Sequence, residues 1–359
     1  MQMNGQNFLD NEQLKRRLKN NELEVSVFGR GFGECIVVGW EGKDFIIIDS
    51  FLNPETNNPI ALDYLESIGA PLTAIKAVVL THWHQDHISG ISQILSSNNE
   101  IKLVLSPIFS ETPFLLMLSK EVQKKRASTN EFVKIVEFIR TNKERVQYVT
   151  KDCCIYYKSK GLEIITLSPS YLEMVDYLEA LMKSNNDKPK IAYDFVEDNM
   201  LSIVLLIKQN KKSILLGSDL EVKASGHGWE CLVEKYTYKD IRPSLFKVPH
   251  HGSITGHYQL LWDEVLENKP TAVLTVYNKG KGLPQDEDIK RIMELSEKLF
   301  VVGARAKKDK EILMKIHKTM PDVSITVIQK KIGLLRYRFS TDSDTESYEP
   351  FGSVETYNF

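Results

Sequence analysis

Three of the eight histidines in this 359-residue chain, His82, His84 and His87, fall within six positions, and Asp86 stands among them. Neutral imidazole nitrogens and a carboxylate oxygen are ligands that zinc, manganese and iron accept from proteins. A cation held by such groups activates water, and Asp86 could also orient or deprotonate that water. The bland alternative is a polar surface loop. It does not explain so many histidines in so short a stretch.

Such a cluster needs a rigid base. Ala77, Val78, Val79 and Leu80 form an apolar run long enough for one buried strand, and it stops at Thr81. The run is too short for a membrane span. Upstream, KDFIIIDS reads as a buried strand whose last apolar residue, Ile48, is followed by Asp49. One helix, Asn58 to Ile68, separates the two strands, which is a βαβ spacing. Downstream, SILLGSD ends a strand at Asp219, and SLFKVPHHGS ends another at His250, His251 and Ser253. Every candidate ligand therefore sits where an apolar strand stops. A two-sheet sandwich can gather those ends at one edge, and two metals need about that many ligands.

The remaining sequence is ordinary for a globular protein. Hydrophobic residues make up 42% and charged residues 26%, with a formal net charge of -2, so nucleic acid or membrane binding would need a local patch. Cys35, Cys153, Cys154 and Cys231 make neither a zinc-finger spacing nor a disulfide framework, which fits a reducing cytoplasm. Residues 1–22 read as a polar arm or short helix without a secretory apolar core. LEVSVFG alternates as a half-buried strand should, and Gly31 and Gly33 permit a turn after it; no GxGxxG supports a dinucleotide site. About 112–152 the pattern is helical and rich in both charges, a solvated insertion or, alternatively, a lid that touches a nucleic-acid backbone. FVVGA, ITVIQKK and LLRYRF are expected to close the sheet, and 340–359, rich in Ser, Thr, Asp and Glu, to form a mobile tail.

THWHQDHISG resembles the HxHxDH signature of the metallo-β-lactamase superfamily. GFGECIVV, Asn199 and Ser202 in DNMLSIVLLI, LLGSDLE and FKVPHHGS are similar to the nuclease domain of ComEC-type DNA-internalisation proteins and their soluble relatives. The resemblance implies an α/β, four-layer αββα sandwich over 23–339 with a helical insertion. It implies two divalent ions, Zn or Mn. His82 and His84 would hold one, Asp86, His87 and one of the histidine pair (His250 is the first choice) the other, with Asp219 bridging and Asp49 orienting the loop. It further implies a phosphodiesterase or nuclease acting on DNA, with Asp86, His251 and Ser253 as catalytic groups, and it permits a regulatory protein partner.

Two departures stand out. Lactamase and glyoxalase relatives place a third histidine between the cluster and the bridging acid, but here no histidine lies between His87 and His227. The matching turn is Ser168–Pro169, which leaves the first ion short of protein ligands. A His-Pro near the C-terminus reads Leu283–Pro284 instead. His227 and His257 are read as loop histidines and the lone His317 as structural. The competing functions are an ester, lactam or thioester hydrolase, which the missing histidine disfavours, and a catalytically silent binding module.

Overall fold

The structure is a computed structural model that describes residues 9, 11–109, 129–157, 161–187, 199–223, 227–306 and 332–358. The expected strand ITVIQKK, His317 and the first part of the insertion lie outside the described residues. The strands are β1 (Glu22–Gly29), β2 (Glu34–Trp40), β3 (Asp44–Ile48), β4 (Ile75–Val79), β5 (Lys102–Leu105), β6 (Val146–Tyr148), β7 (Cys154–Tyr157), β8 (Leu162–Thr166) and β9 (Leu205–Gln209) in the first half. The second half adds β10 (Lys212–Leu216), β11 (Val222–Lys223), β12 (His227–Gly228), β13 (Leu245–Lys247), β14 (Thr271–Thr275), β15 (Lys298–Val302), β16 (Gly333–Ser340), β17 (Glu346–Gly352) and β18 (Val354–Asn358).

Two eight-stranded sheets result, ordered β17-β16-β1-β2-β3-β4-β5-β6 and β18-β15-β14-β13-β10-β9-β8-β7. Three apolar clusters show how they stack. Leu23, Val25, Val27, Ile36 and Val38 of the first sheet meet Ile164, Leu205, Ile207, Ile214 and Leu245 of the second, so alternate side chains fill the space between the sheets. On the outer face of the first sheet, Ile60, Tyr64, Ile91 and Ile94 pack from helices Ile60–Ser67 and Ile91–Ser97. On the outer face of the second, Trp229, Leu232, Ile289 and Ile292 do the same from helices Trp229–Glu234 and Asp286–Leu295. The architecture is a four-layer αββα sandwich. Among the described residues no helix is long and apolar enough to cross a membrane.

Both sheets change from antiparallel to parallel pairing toward the strands that carry the candidate ligands. β3 pairs parallel with β4 and β4 with β5, while β10 pairs parallel with β13 and β13 with β14. Parallel neighbours end on the same side, where ligands gather in open α/β sheets. Ile48 lies opposite Val79, so Asp49 and Thr81 leave their strands side by side. Leu216 lies opposite Lys247, which does the same for Asp219 and the histidine pair. The sheets are stitched at this edge by an Ile203 N–H donating to the Thr81 carbonyl (3.2 Å) and by a bridge between Gly31 and Tyr277.

Three expectations need correcting. β1 is buried at all eight positions rather than half-buried. Its polar side chains face Tyr64 and an ion pair, with Arg338 Nε 2.8 Å from Glu24 Oε2, and the Arg338 guanidinium also donates to the Arg16 carbonyl. The arm is docked rather than loose where it is described, since Leu14 and Leu18 are buried and the Leu14 carbonyl accepts from Arg336. Residues 340–359, expected as a mobile tail, instead include β17 and β18, which supply one outermost strand of each sheet. Low hydrophobicity misleads there because an edge strand needs apolar contact on one side only.

The described part of the insertion begins with the helix Thr129–Thr141, and the insertion ends sooner than expected, because β6 (Val146–Tyr148) within it pairs with β5 as part of the first sheet. Phe132, Ile135, Val136 and Ile139 bury one side of the helix against the first sheet's outer cluster. Glu131 accepts from the Ser92 amide (2.7 Å) and hydroxyl (3.0 Å), and Phe132 packs on Trp83 with ring centroids 4.9 Å apart. Trp83 stands between His82 and His84, so this helix braces the histidine loop.

Candidate metal centre

The turn after β4 carries His82 and His84 and runs into the short helix Gln85–Ile88, which presents Asp86 and His87. Asp219 enters from the end of β10 and His251 from the end of β13. Asp86, His87, Asp219 and His251 each offer an atom within 4.8 Å of the others', and so do His82, His84 and Asp219. Asp219 belongs to both groups. His87 Nε2 lies 3.6 Å from Asp86 Oδ2 and 3.5 Å from Asp219 Oδ2, and His251 Nε2 lies 3.4 and 3.6 Å from the same two oxygens.

The backbone pays attention to aim at the cost of comfort. Asp49, Ser218, His250 and His251 all adopt positive φ, at 56°, 47°, 46° and 53°. Non-glycine residues rarely take that conformation, and strained backbone of this kind concentrates where a side chain must be pointed.

Hydrogen bonds fix how each ring is protonated. Asp49 Oδ2 accepts from Thr81 Oγ1 (2.6 Å) and His87 Nδ1 (2.7 Å), while its Oδ1 accepts from the Thr81 amide (2.9 Å). The Thr81 hydroxyl has spent its proton on Asp49, so it accepts from His82 Nδ1 at 3.0 Å. By the same logic Thr275 Oγ1 donates to Glu34 Oε2 (2.5 Å) and accepts from His251 Nδ1 (3.0 Å), whose other neighbour is the Thr275 carbonyl. All three rings therefore carry hydrogen on Nδ1 and turn the Nε2 lone pair inward, the arrangement that metal-binding histidines adopt. His87 Nε2, His251 Nε2 and Asp219 Oδ1 are buried and make no hydrogen bond. Lone pairs of several buried groups aimed at one another fit a cation.

Residues 28–126 match the family described as Metallo-beta-lactamase superfamily. The chain carries a metallo-β-lactamase superfamily fold. That match spans β2 to β5 and the histidine loop. Members of the superfamily are metal-dependent hydrolases. Among solved structures, the metallo-β-lactamase fold protein YhfI from Bacillus subtilis is 13% identical, with 78% of this chain and 95% of that one covered at a TM-score of 0.42. Metallo-β-lactamase SMB-1 bound to 2-mercaptoethanesulfonate is 12% identical, covering 68% and 84% at 0.35. Human tRNase Z, short form, is 11% identical, covering 62% and 76% at 0.31. No curated protein matches.

Electrostatics in this site favour a positive guest. Burial works to lower the His87 pKa, but Asp219, Asp49 and Asp86 outweigh it and hold the ring well above the usual histidine range. Burial pushes His82 well below that range, helped by His87 and His84. Burial would raise Asp219, but His251, His87 and His82 override it and keep the carboxyl well below its ordinary value. Three carboxylates thus surround His87 and favour positive charge beside it. Divalent ions would supply that charge and leave every imidazole neutral.

Two sequence assignments change. His250 was the first choice as ligand, but its Nδ1 lies 2.9 Å from Glu221 Oε1 and 3.0 Å from Thr255 Oγ1, outside the ligand groups found among the described residues. The left-handed turn sends His251 inward instead. Ser253 does not line the cleft; its Oγ accepts from the Thr255 amide and caps the turn Ile254–Gly256. His227 bonds Asp176 at 3.0 Å and lies outside both groups, as does His257.

The centre opens into a cleft of about 470 Å³ whose walls include Phe32, His84, Asn199, His250, Tyr277 and Lys279. Asn199 is buried and its Oδ1 makes no hydrogen bond. Tyr277 stacks on His251 with ring centroids 5.0 Å apart. Backbone bonds between Tyr277 and Leu283 close the intervening loop into a hairpin that sets Lys279 Nζ 3.2 Å from the Phe32 ring centroid. Leu283 and Pro284 belong to a neighbouring cavity, not to this one. Sequence reading missed Glu34, Thr275 and Lys279. None stands in a metal-binding pattern, and Glu34 and Thr275 look like strand residues.

Proposed function

We propose that this chain is a metal-dependent phosphodiesterase, with DNA the favoured substrate. The observation that carries the metal reading is the set of three histidines held by Nδ1 with Nε2 turned toward buried carboxylates. His82, His84 and Asp219 would hold one divalent ion, and Asp86, His87, Asp219 and His251 the other, with Zn and Mn both compatible with these donors. Such ions supply a water of lowered pKa and offset charge on phosphoryl oxygens, as pairs of them do in phosphatases and nucleases.

The protein's own groups do the rest. Burial would raise the Asp86 carboxyl, but His87 and His251 hold it below its ordinary value, and it can orient a water through a carboxylate oxygen. Lys279 places an ammonium on the cleft wall, where a phosphate oxygen would lie. His250 faces the same space and takes the role of substrate contact and proton donor to the leaving oxygen, for which His251 is too deeply committed. Phe32 and Tyr277 offer aromatic faces to a base. The HHGS sequence and the lack of a histidine between His87 and His227 favour a phosphodiester over a lactam or thioester. A protein partner that regulates the activity is compatible with this reading, as is a cytoplasmic setting.

The test is turnover of labelled DNA, labelled RNA and a chromogenic phosphodiester with Mn²⁺, Mg²⁺ and Zn²⁺ separately. Cleavage of DNA that is lost in Asp86→Ala supports the proposal. Metal-loaded protein that hydrolyses a lactam or thioester and leaves all three phosphodiesters intact would refute it.

A further inference from the structure

Behind the ligands lies a buried ion pair in which Lys247 has no place in the chemistry above. Lys247, the last residue of β13, and Glu34, the first of β2, belong to different sheets, and their side chains are 1% and 2% exposed. Lys247 Nζ lies 2.6 Å from Glu34 Oε2 and donates to the Ser218 carbonyl at 3.2 Å. The same Glu34 oxygen accepts from Thr275 Oγ1, which accepts from His251 Nδ1. Desolvating two full charges cancels most of their attraction, so packing alone gives little reason for a buried pair here. Its connections give a better one.

We propose that Glu34 and Lys247 are positioning residues that set two metal ligands at once. Glu34 acts through Thr275. By taking the hydroxyl proton it leaves Thr275 Oγ1 only an acceptor, which joins the Thr275 carbonyl in holding hydrogen on His251 Nδ1 and the lone pair on Nε2. Lys247 acts through the backbone. It holds the carbonyl of Ser218, the positive-φ residue that turns Asp219 toward the histidines. One ammonium thus couples the turn that aims Asp219 to the relay that orients His251, and it does so across the gap between the sheets. Registration of one sheet against the other becomes part of ligand geometry. A neutral pair of similar size would fill the space but would not polarise Thr275 or anchor the Ser218 carbonyl.

This inference rests on reading the site as a metal centre, and the experiment separates the two. Zn²⁺ and Mn²⁺ affinity would be measured by chelator competition, with the Co²⁺ absorption spectrum and the melting midpoint of metal-free protein alongside. Thr275→Val breaks the relay without touching a charge, and Thr275→Ser restores it. The double variant Glu34→Gln/Lys247→Met removes both charges together, so neither is left buried alone, and it carries the test should Thr275→Val fail to fold. We expect about a 10–100-fold loss of Zn²⁺ affinity and an altered Co²⁺ spectrum in Thr275→Val and in the double variant, with recovery in Thr275→Ser. Variants that bind within about threefold of the parent would overturn the positioning role and leave the metal centre standing. A parent protein that binds neither ion would remove the metal centre, and this inference with it.

Discussion

Asp49→Asn is the sharpest perturbation of the site because it changes one oxygen to nitrogen and almost no volume. Asp49 Oδ2 accepts from both Thr81 Oγ1 and His87 Nδ1. An amide that keeps its oxygen on the Thr81 N–H must turn its NH₂ toward those two donors. The network can then survive only by reversing. Thr81 would accept from the amide and donate to His82 Nδ1, while His87 Nδ1 would become an acceptor. Both rings would move their hydrogen to Nε2 and withdraw their lone pairs from the centre. Loss of a ligand's orienting partner typically lowers metal affinity about 10–100-fold, so two reversed rings predict a loss of roughly 10²–10⁴. In free-energy units that is about 2.7–5.5 kcal/mol. Metal-free protein should change far less, because burial already raises the Asp49 pKa and the substitution removes a buried charge. Its melting midpoint should stay within about 4 °C. Chelator competition with Zn²⁺ measures the first quantity and a thermal scan after dialysis against chelator the second. Affinity within about threefold of the parent would show that Asp49 does not control the tautomers of His82 and His87.

The histidine pair gives a second prediction. His251→Ala should lower bound metal per chain, whereas His250→Ala should retain metal and lose turnover; the opposite pattern, read by elemental analysis and rate, would return the ligand role to His250. A third concerns the outermost strands. Removing residues 341–359 strips β17 and β18, exposes an edge of each sheet and deprives Arg336 of Glu349 2.8 Å away, so the shortened chain should melt at lower temperature and aggregate. A shortened chain as soluble and as heat-resistant as the parent would show that these strands add nothing to the sandwich.

Much of this was legible because strand ends announce themselves. Ile46, Ile47 and Ile48 before Asp49, Val78, Val79 and Leu80 before the histidines, and Ile214, Leu215 and Leu216 before Asp219 are buried runs that stop abruptly, and parallel pairing makes such stops coincide in space. Direction was not legible. Whether His250 or His251 points inward depends on two left-handed residues in succession, and nothing in Pro-His-His-Gly states that. Lys247 within LFKVP reads as a strand residue that ought to face water, and only the opposite sheet reveals Glu34 as its partner. The same blindness hid the buried face of β1. Glu24 and Ser26 look solvent-facing until Arg338, 314 residues away, arrives to meet Glu24. The edge strands escaped because their composition is that of a solvated segment.

The pairing of β1 has a consequence for how the protein is made. Glu22 pairs with Ser340 and Gly29 with Gly333, so β1 waits for a strand that leaves the ribosome much later. Until then β1 has only β2 beside it, and its other edge presents eight residues of open hydrogen-bonding backbone, with Glu24 lacking its counter-ion. Contacts this distant in sequence form slowly, and open edges recruit other chains while they wait. His82 through His251 are all synthesised before β16 exists. The growing chain therefore passes through a stage in which every candidate ligand has been made but the sheet beneath them is still unclosed, and at that stage a nascent-chain chaperone has most to protect.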